Sequence, residues 1–546
     1  MSEAPGPEAV VAEVTALLQR SEIDKAIARA REALAQGFEA PLLLNLRAFW
    51  LEGQNRPADA LIDLRRAREL APRDPMILNA LGLCLGKLGR TDEAYLAFRD
   101  CAEIVPDFAP AHFNSGWTLE ELGELEKARL AFEEAARLDP RGADPQGRLA
   151  SLAARRGQWE RARTHAQAAL ALAPGHAPAA IALATADLAA KAYGEAKLRL
   201  QGVVDAATAS MQDRATAAGL IGDLFDAQGR YPDAFAAYAA SNALYKSVFA
   251  ERLAARAEMG MADYVRWLLQ SFEAPAMPAW EPSDLGRTIP GQGPKRHIFV
   301  MGFPRSGTTL LEEALAGHPE AVTTGERDPF TGLVRELLGQ PSHLEHLREL
   351  GPAAVARHRT RYWEALQALG IPVEGKILID KQPFNTVRLP LIAKLFPDAK
   401  ILFCLRDPRD VVLSCFRRRF INNPANFEFL TLEGASRLYD LVMRLAAVYR
   451  QKLPISLHEL RHEALVEDFD GQLRAICAFA DLEWSDAFRD FARRSGTREV
   501  TTPSATQVTK GLGREGIGHW RNYRAEMEPA LPLLNPWAER LNYPAN

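Results

Sequence analysis

Over the first 250 residues, small and apolar side chains recur at helical spacing, and the pattern repeats every 34 residues. Ala26, Ala60, Ala94, Ala128, Ala162 and Ala196 follow that period without a slip, as do Pro72, Pro106, Pro140 and Pro174, Gly89, Gly123 and Gly157, and the small residues Ala48, Gly82, Gly116, Ala150 and Ala184. A unit such as HFNSGWTLEELGELEKARLAFEEAARLDP is predicted to form two antiparallel helices. Small residues stand where the helices approach, Gly123 makes the turn, and Pro140 ends the second helix because proline cannot continue it. The segment GLIGDLFDAQGRYPDAFAAYAASNALY is read as one more unit with Ala234 four residues out of phase, so the array is expected to occupy 1–250. A helix around MADYVRWLLQSF and a stretch rich in proline and glycine form a connector, 251–294. From Lys295 the texture changes: short runs rich in β-branched residues alternate with amphipathic helices, which predicts a domain over 295–546 built on a central parallel sheet.

Thirty-four residues with the A-x-x-x-F step at Ala94/Phe98 and Ala128/Phe132 resembles the tetratricopeptide repeat. The resemblance implies a helical solenoid whose concave surface holds a protein or peptide. A rigid platform or a dimer surface is the plainer reading, and the oligomeric state stays open. Hydrophobic residues at 47% and charged residues at 25% are ordinary for a globular chain and exclude disorder. The net charge of -4 leaves no general basic footprint for nucleic acid, so any anion site rests on individual arginines. The five cysteines are scattered and the eleven histidines form no ligand cluster, so no metal is expected. The start lacks a signal-peptide pattern and no long apolar run follows, so no membrane contact and a cytoplasmic location are expected.

The chemistry is concentrated in HIFVMGFPRSGTTLLEEALAGHPE, which reads as strand, tight loop and helix. Gly302 and Gly307 stand five apart as in G-x-x-x-x-G-K-[ST], a spacing that lets backbone N–H groups and a helix N-terminus surround a phosphate. Thr308 takes the place of the lysine, which argues against hydrolysis of a nucleoside triphosphate. Arg305, Ser306, Gly307, Thr308 and Thr309 are left as the donors for a single phosphate-like group.

FPRSGTT resembles the 5'-phosphosulfate loop of the sulfotransferase superfamily, in the form found in protein-tyrosine sulfotransferases. That resemblance implies 3'-phosphoadenosine 5'-phosphosulfate as co-substrate, without a metal. It also assigns Arg406, at the end of the run KILFCL, Ser414 eight residues on, and Arg418 to the 3'-phosphate, while Arg417 and Arg419 are read as a solvated basic face. Lys381, in KILIDKQPFN, matches a lysine that contacts the transferring sulfuryl group. TPSATQVTKGLGREGIGHWRNY resembles the family's closing segment, with Ser504 near the sulfate and Gln507, Val508 and Trp520 in matching places. His519 stands where the family has lysine, leaving Lys510 or Arg514 to replace it, and His462 stands where the family has tyrosine.

The acceptor hydroxyl needs a proton acceptor. In AVTTGERDP a strict alignment puts Arg327 at the family's catalytic position, so Glu326 is assigned as the base, with Asp328 second; an ion pair from Glu326 to Arg305 or Arg327 is the purely structural alternative. Three functions remain in play. The leading one is sulfuryl transfer to an acceptor hydroxyl, with protein tyrosine ahead of a glycan or small alcohol. Behind it stand a partner-binding scaffold whose sulfotransferase-like domain is inactive, and a phosphate-loop kinase.

Overall fold

In the computed structural model the described residues are 6–256, 260–274, 280, 293–418, 424–497 and 511–545. The chain divides into two compact units, Met1–Arg199 and Leu200–Asn546.

The first unit is a stack of helical hairpins, such as Pro75–Lys87 with Thr91–Ile104 and Ala109–Glu121 with Leu125–Leu138. The alanines spaced by 34 are fully buried, each on the second helix of its pair. The small residue on the first helix is needed because an aromatic ring lies against it. A Cβ on Gly82 would sit 2.5 Å from the Phe98 ring, and one on Gly116 2.7 Å from that of Phe132. Each hairpin turn has a left-handed residue at the repeat period: Ser21, Asn55, Gly89, Gly123, Gly157 and Lys191. The next amide then bonds back across the end of the first helix, as from Arg90 to the Leu85 carbonyl (2.9 Å) and from Glu124 to that of Leu119 (2.9 Å). Glycine adopts this conformation freely, whereas Ser21, Asn55 and Lys191 hold it at a cost of about 1 kcal/mol each.

The second unit begins earlier than the expected boundary near 250. Its first hairpin, Met211–Ala227 with Tyr231–Arg256, repeats the array's local rule, since a Cβ on Gly222 would lie 2.5 Å from the Tyr238 ring. Yet Ala234 and Tyr238 belong to the core of this unit, Phe235 stacks on Phe416 (4.9 Å), and the Asn242 amide donates to the Phe416 carbonyl (3.0 Å). The hairpin is therefore built like a repeat and packed as part of the α/β unit.

Five strands form one parallel sheet: β1 (Arg296–Gly302), β2 (Ala321–Thr323), β3 (Ile377–Lys381), β4 (Lys400–Leu405) and β5 (Ser456–Arg461), in the order β2-β3-β1-β4-β5. Both faces are covered, so the central strands carry continuous apolar runs, as in Ile298–Met301 and Ile401–Leu405. Phe299, Met301, Leu378, Ile401 and Phe403 face a core that includes the Met211–Arg256 hairpin and the helices Met261–Glu273 and Leu432–Lys452. Ile298, Val300, Ile377, Ile379 and Leu402 face the other core, closed by Thr308–Leu315 and Phe469–Ala480. The five cysteines are buried and free. Among the described residues no helix is long and apolar enough to cross a membrane.

The array's dependence on small residues is testable at Gly116. A Gly116→Val substitution forces the buried Phe132 ring aside and should cost about 1–3 kcal/mol. Thermal unfolding followed by circular dichroism should show the loss, and adding Phe132→Ala should not lower stability by the sum of the two single changes.

Candidate functional site

In a parallel sheet, ligand sites lie beyond the carboxyl ends of the strands. Here β1 and β4 are neighbours, with Gly302 opposite Cys404, so the chain that leaves β1 reaches Arg305 beside the Arg406 that ends β4. The loop between them is tight for a visible reason. A Cβ on Gly302 would lie 2.5 Å from the Cys404 carbonyl oxygen, and one on Gly307 would lie 2.7 Å from Nδ1 of His462. Gly307 is left-handed (φ 100°) and caps the helix Thr308–Leu315, and Arg305 is left-handed too (φ 71°). A non-glycine residue in that region stores strain, as ligand-binding loops commonly do.

A cavity of about 330 Å³ opens on this loop. Arg305, Gly307, Thr308 and Thr309 line it, and the helix Pro408–Arg417 presents one stripe to it: Asp410, Leu413, Ser414 and Arg417, followed by Arg418. These positions are three or four residues apart and so share one helix face. Asp407 caps that helix by accepting from the Arg409 amide (3.0 Å), which sets its start against the end of β4.

Four arginines, Arg305, Arg406, Arg417 and Arg418, share the cavity lining with the carboxylates Asp226, Asp410 and Glu515. Arg305 is buried, its Nε donates to Ser414 Oγ (2.9 Å), and burial, followed by Arg418, Arg406 and Arg417, pushes its pKa down to about 9. Arg406 donates from Nη1 to the Arg305 carbonyl (3.2 Å) and from Nη2 to the Gly516 carbonyl. Nε of Arg406, Nε of Arg417 and Nδ1 of His462 are buried without a hydrogen-bond partner among the described residues. Such orphaned donors are expensive unless a ligand answers them. A nucleotide carrying separate phosphate-like groups fits this set: the loop end would hold one group, and Arg406, Ser414 and Arg418 the other. ATP chemistry lacks its usual lysine, because Thr308 stands there.

The segment 511–523 closes one side. Asp410 accepts from the amides of Gly518 (2.6 Å) and Trp520 (2.8 Å), and Gly513, Gly516 and His519 line the cavity. Trp520 itself is buried against Arg409 (4.1 Å) rather than in the cavity, and Arg514 is exposed and outside the lining. Ser306 is buried behind the loop against Gly302. Ser504, Gln507, Val508, Lys510 and Arg419 lie outside the described residues.

Glu326 and Lys381 form a neighbouring cluster. Lys381 ends β3, is fully buried, and its ammonium pairs with both Glu326 Oε1 and Glu312 Oε2 (3.3 Å). Burial works against its charge, but Glu312 and Glu326 outweigh that and raise its pKa. Glu312 lies one turn after Thr308, so one short helix serves both cluster and cavity. The left-handed pair Gly325 (φ 59°) and Glu326 (φ 67°) turns the glutamate towards Lys381. Arg327 is spent elsewhere, on the Thr324 (3.0 Å) and Leu369 (2.8 Å) carbonyls. Asp328 is held by both nitrogens of the Arg388 fork (2.9 and 2.7 Å), which leaves it poorly suited as the base.

Three participants differ from the sequence expectation. Arg417 is half-buried and lines the cavity instead of facing solvent, a placement foreshadowed only by its three-residue step from Ser414. His462, in the tyrosine position, is packed onto the loop. Asp226, from the helix Met211–Ala227, lines the same cavity, and no motif marked it.

Residues 297–486 match the family model described as "Sulfotransferase family", and residues 51–109 and 109–141 match two tetratricopeptide repeat models. The second unit carries a sulfotransferase-family domain, and the first carries tetratricopeptide repeats. An uncharacterised protein of Aquifex aeolicus is 27% identical over 264 residues, which cover 46% of this chain and 34% of that protein. Protein-tyrosine sulfotransferase 1 of Danio rerio is 26% identical over 262 residues, 45% of this chain and 72% of the relative. Protein-tyrosine sulfotransferase A of Caenorhabditis elegans is 25% identical over 264 residues, 46% of this chain and 67% of the relative. The chain thus spans about a third of the Aquifex protein's length. A solved tetratricopeptide repeat protein from Parabacteroides merdae is 16% identical with a TM-score of 0.35, over 44% of this chain and 93% of that one.

His462 gives the site a pH signature. Burial, then Arg406 and Arg305, hold its ring down at about 3 against an ordinary 6.5, so the folded state keeps it neutral while the unfolded chain takes up a proton. Its contribution is present above pH 6.5 and is lost as pH falls towards 3, with a slope on the order of 1 kcal/mol per pH unit. Urea unfolding at pH 6.5 and 4.5 should therefore show a smaller loss for His462→Gln than for the parent; an equal loss would contradict the buried neutral ring.

Proposed function

We propose that the protein transfers a sulfuryl group from 3'-phosphoadenosine 5'-phosphosulfate to an acceptor hydroxyl, with protein tyrosine as the acceptor. The observation that carries this is the pair Arg305 and Arg406, delivered side by side by β1 and β4 to one cavity, where Arg305 donates to Ser414 and Arg406 is held by backbone carbonyls. A guanidinium fork offers planar, charge-assisted hydrogen bonds to phosphate oxygens. On this reading Ser306 shapes the loop from behind while Arg305, Gly307, Thr308 and Thr309 hold the 5'-phosphosulfate. Arg406, Ser414 and Arg418 hold the 3'-phosphate.

The transfer forms a bond from the acceptor oxygen to sulfur and breaks the bond from sulfur to the bridging phosphate oxygen, which keeps the electron pair. Glu326 takes the acceptor proton, and Lys381, kept charged by its two carboxylates, offsets negative charge on the leaving phosphate. Ser504 belongs to the sulfate end by resemblance alone. Tyrosine is favoured because two of the relatives above are named protein-tyrosine sulfotransferases and because the repeat array can hold a polypeptide. Ile62, Leu96, Leu130 and Leu198, which share one repeat position, are all exposed and give that array an apolar surface for a protein partner.

Transfer of labelled sulfuryl from the donor to a tyrosine peptide should be measurable with the full chain. Glu326→Gln should lower turnover by about 100-fold or more and leave donor affinity unchanged. Arg406→Ala should weaken donor binding by about tenfold or more. Full turnover in Glu326→Gln would remove Glu326 from the mechanism.

A further inference from the structure

Asp226 lies outside the 297–486 segment that matches the sulfotransferase family, yet it lines the same cavity. Its Oδ2 accepts from Arg417 Nη2 (2.6 Å), and its Oδ1 accepts from His519 Nε2 (2.9 Å) and the Tyr523 hydroxyl. One carboxylate thereby ties three separated stretches: the repeat-like hairpin, the end of the helix Pro408–Arg417, and the closing segment. The surroundings fix each partner further. The Arg417 guanidinium lies over the rings of Tyr238 (5.3 Å) and Tyr523 (5.5 Å), and Tyr231 packs edge-on against Tyr523 (5.2 Å) and His519 (6.1 Å). Burial works against the Asp226 charge, but His519, Arg417 and Tyr523 hold its pKa down at about 2. An anion thus sits permanently in the wall of a cavity built for anions.

That placement is informative because its simplest electrostatic effect is unfavourable: a fixed carboxylate repels a phosphate nearby. Its use must be to orient. We propose that Asp226 is a positioning residue of the donor site: it holds the Arg417 fork and His519 against the cavity so that both meet the donor nucleotide. This rests on the donor reading given above. It makes the Met211–Arg256 hairpin part of the nucleotide site, and Arg417 a further nucleotide-binding residue beside Arg406 and Arg418.

The two effects of removing the charge have opposite signs, which makes the test decisive. The full-length protein and its Asp226→Asn, Arg417→Gln and doubly substituted variants are titrated calorimetrically with 3'-phosphoadenosine 5'-phosphate, and in parallel with inorganic pyrophosphate. Each single variant should bind the nucleotide about tenfold more weakly, and the double variant should be no weaker than the worse single one, because both changes undo one interaction. Pyrophosphate, which needs no oriented fork at this wall, should bind Asp226→Asn at least as tightly as the parent. In turnover assays the donor KM should rise while kcat holds. Nucleotide affinity that is unchanged or tighter in Asp226→Asn overturns the inference, and so does additive loss in the double variant. Failure of the parent protein to bind the nucleotide overturns the donor reading instead. If Asp226→Asn does not fold, Arg417→Lys keeps the ion pair and removes the fork, and unchanged nucleotide affinity in that variant also overturns the proposal.

Discussion

Bringing Arg305, Arg406, Arg417 and Arg418 to one cavity is the constraint around which the second unit is organised. Guanidinium groups withdrawn from water repel one another, and the depressed pKa of Arg305 registers that penalty. The protein limits the cost without cancelling the charge. Arg406 is held by the carbonyls of Arg305 and Gly516, neutral acceptors that fix its direction and leave its charge available. Carboxylates enter where Asp226 meets Arg417 and Asp223 approaches Arg418 (3.9 Å), and Asp410 fixes the amides of the closing segment. The result is a rigid, positive, partly unsatisfied surface, the arrangement that lets a site stabilise an anion with little reorganisation.

The parallel sheet makes such crowding possible. Neighbouring parallel strands end at the same edge, so the loops after β1 and β4 deliver Arg305 and Arg406 together although they are about a hundred residues apart in the chain. The helix after each strand then does double duty. Thr308–Leu315 begins at the cavity and carries Glu312 to Lys381, and Pro408–Arg417 turns a single stripe inward. β3, on the other side of β1, supplies Lys381 itself. A cation cluster and a carboxylate–ammonium cluster are thereby set on one framework.

Much of this was legible in the sequence where local rules decide the outcome. The 34-residue period reports helix contacts repeated at every hairpin, and the glycine spacing reports the tight loop after β1. What stayed hidden depends on tertiary context. Gly222 and Tyr238 obey the repeat's packing rule, so nothing local tells that their hairpin packs in the α/β unit and not in the array. Arg417 sits in a run of three arginines, where composition suggests solvent and only its step from Ser414 indicates the cavity. Asp226 is a polar residue near a helix end, ordinary until the chain about two hundred residues later returns to meet it. Glu326 was picked out by its neighbourhood in sequence, but its partner, Lys381, arrives through the pairing of β2 with β3.

The central claim is that this cavity holds the donor nucleotide, and calorimetric titration of the full-length protein with 3'-phosphoadenosine 5'-phosphate, against ATP with Mg²⁺, tests it most directly. The account predicts saturable binding of the bisphosphate that persists in the presence of a chelator, and none of ATP with Mg²⁺. Binding of ATP with Mg²⁺ alone, or of neither nucleotide, would contradict it.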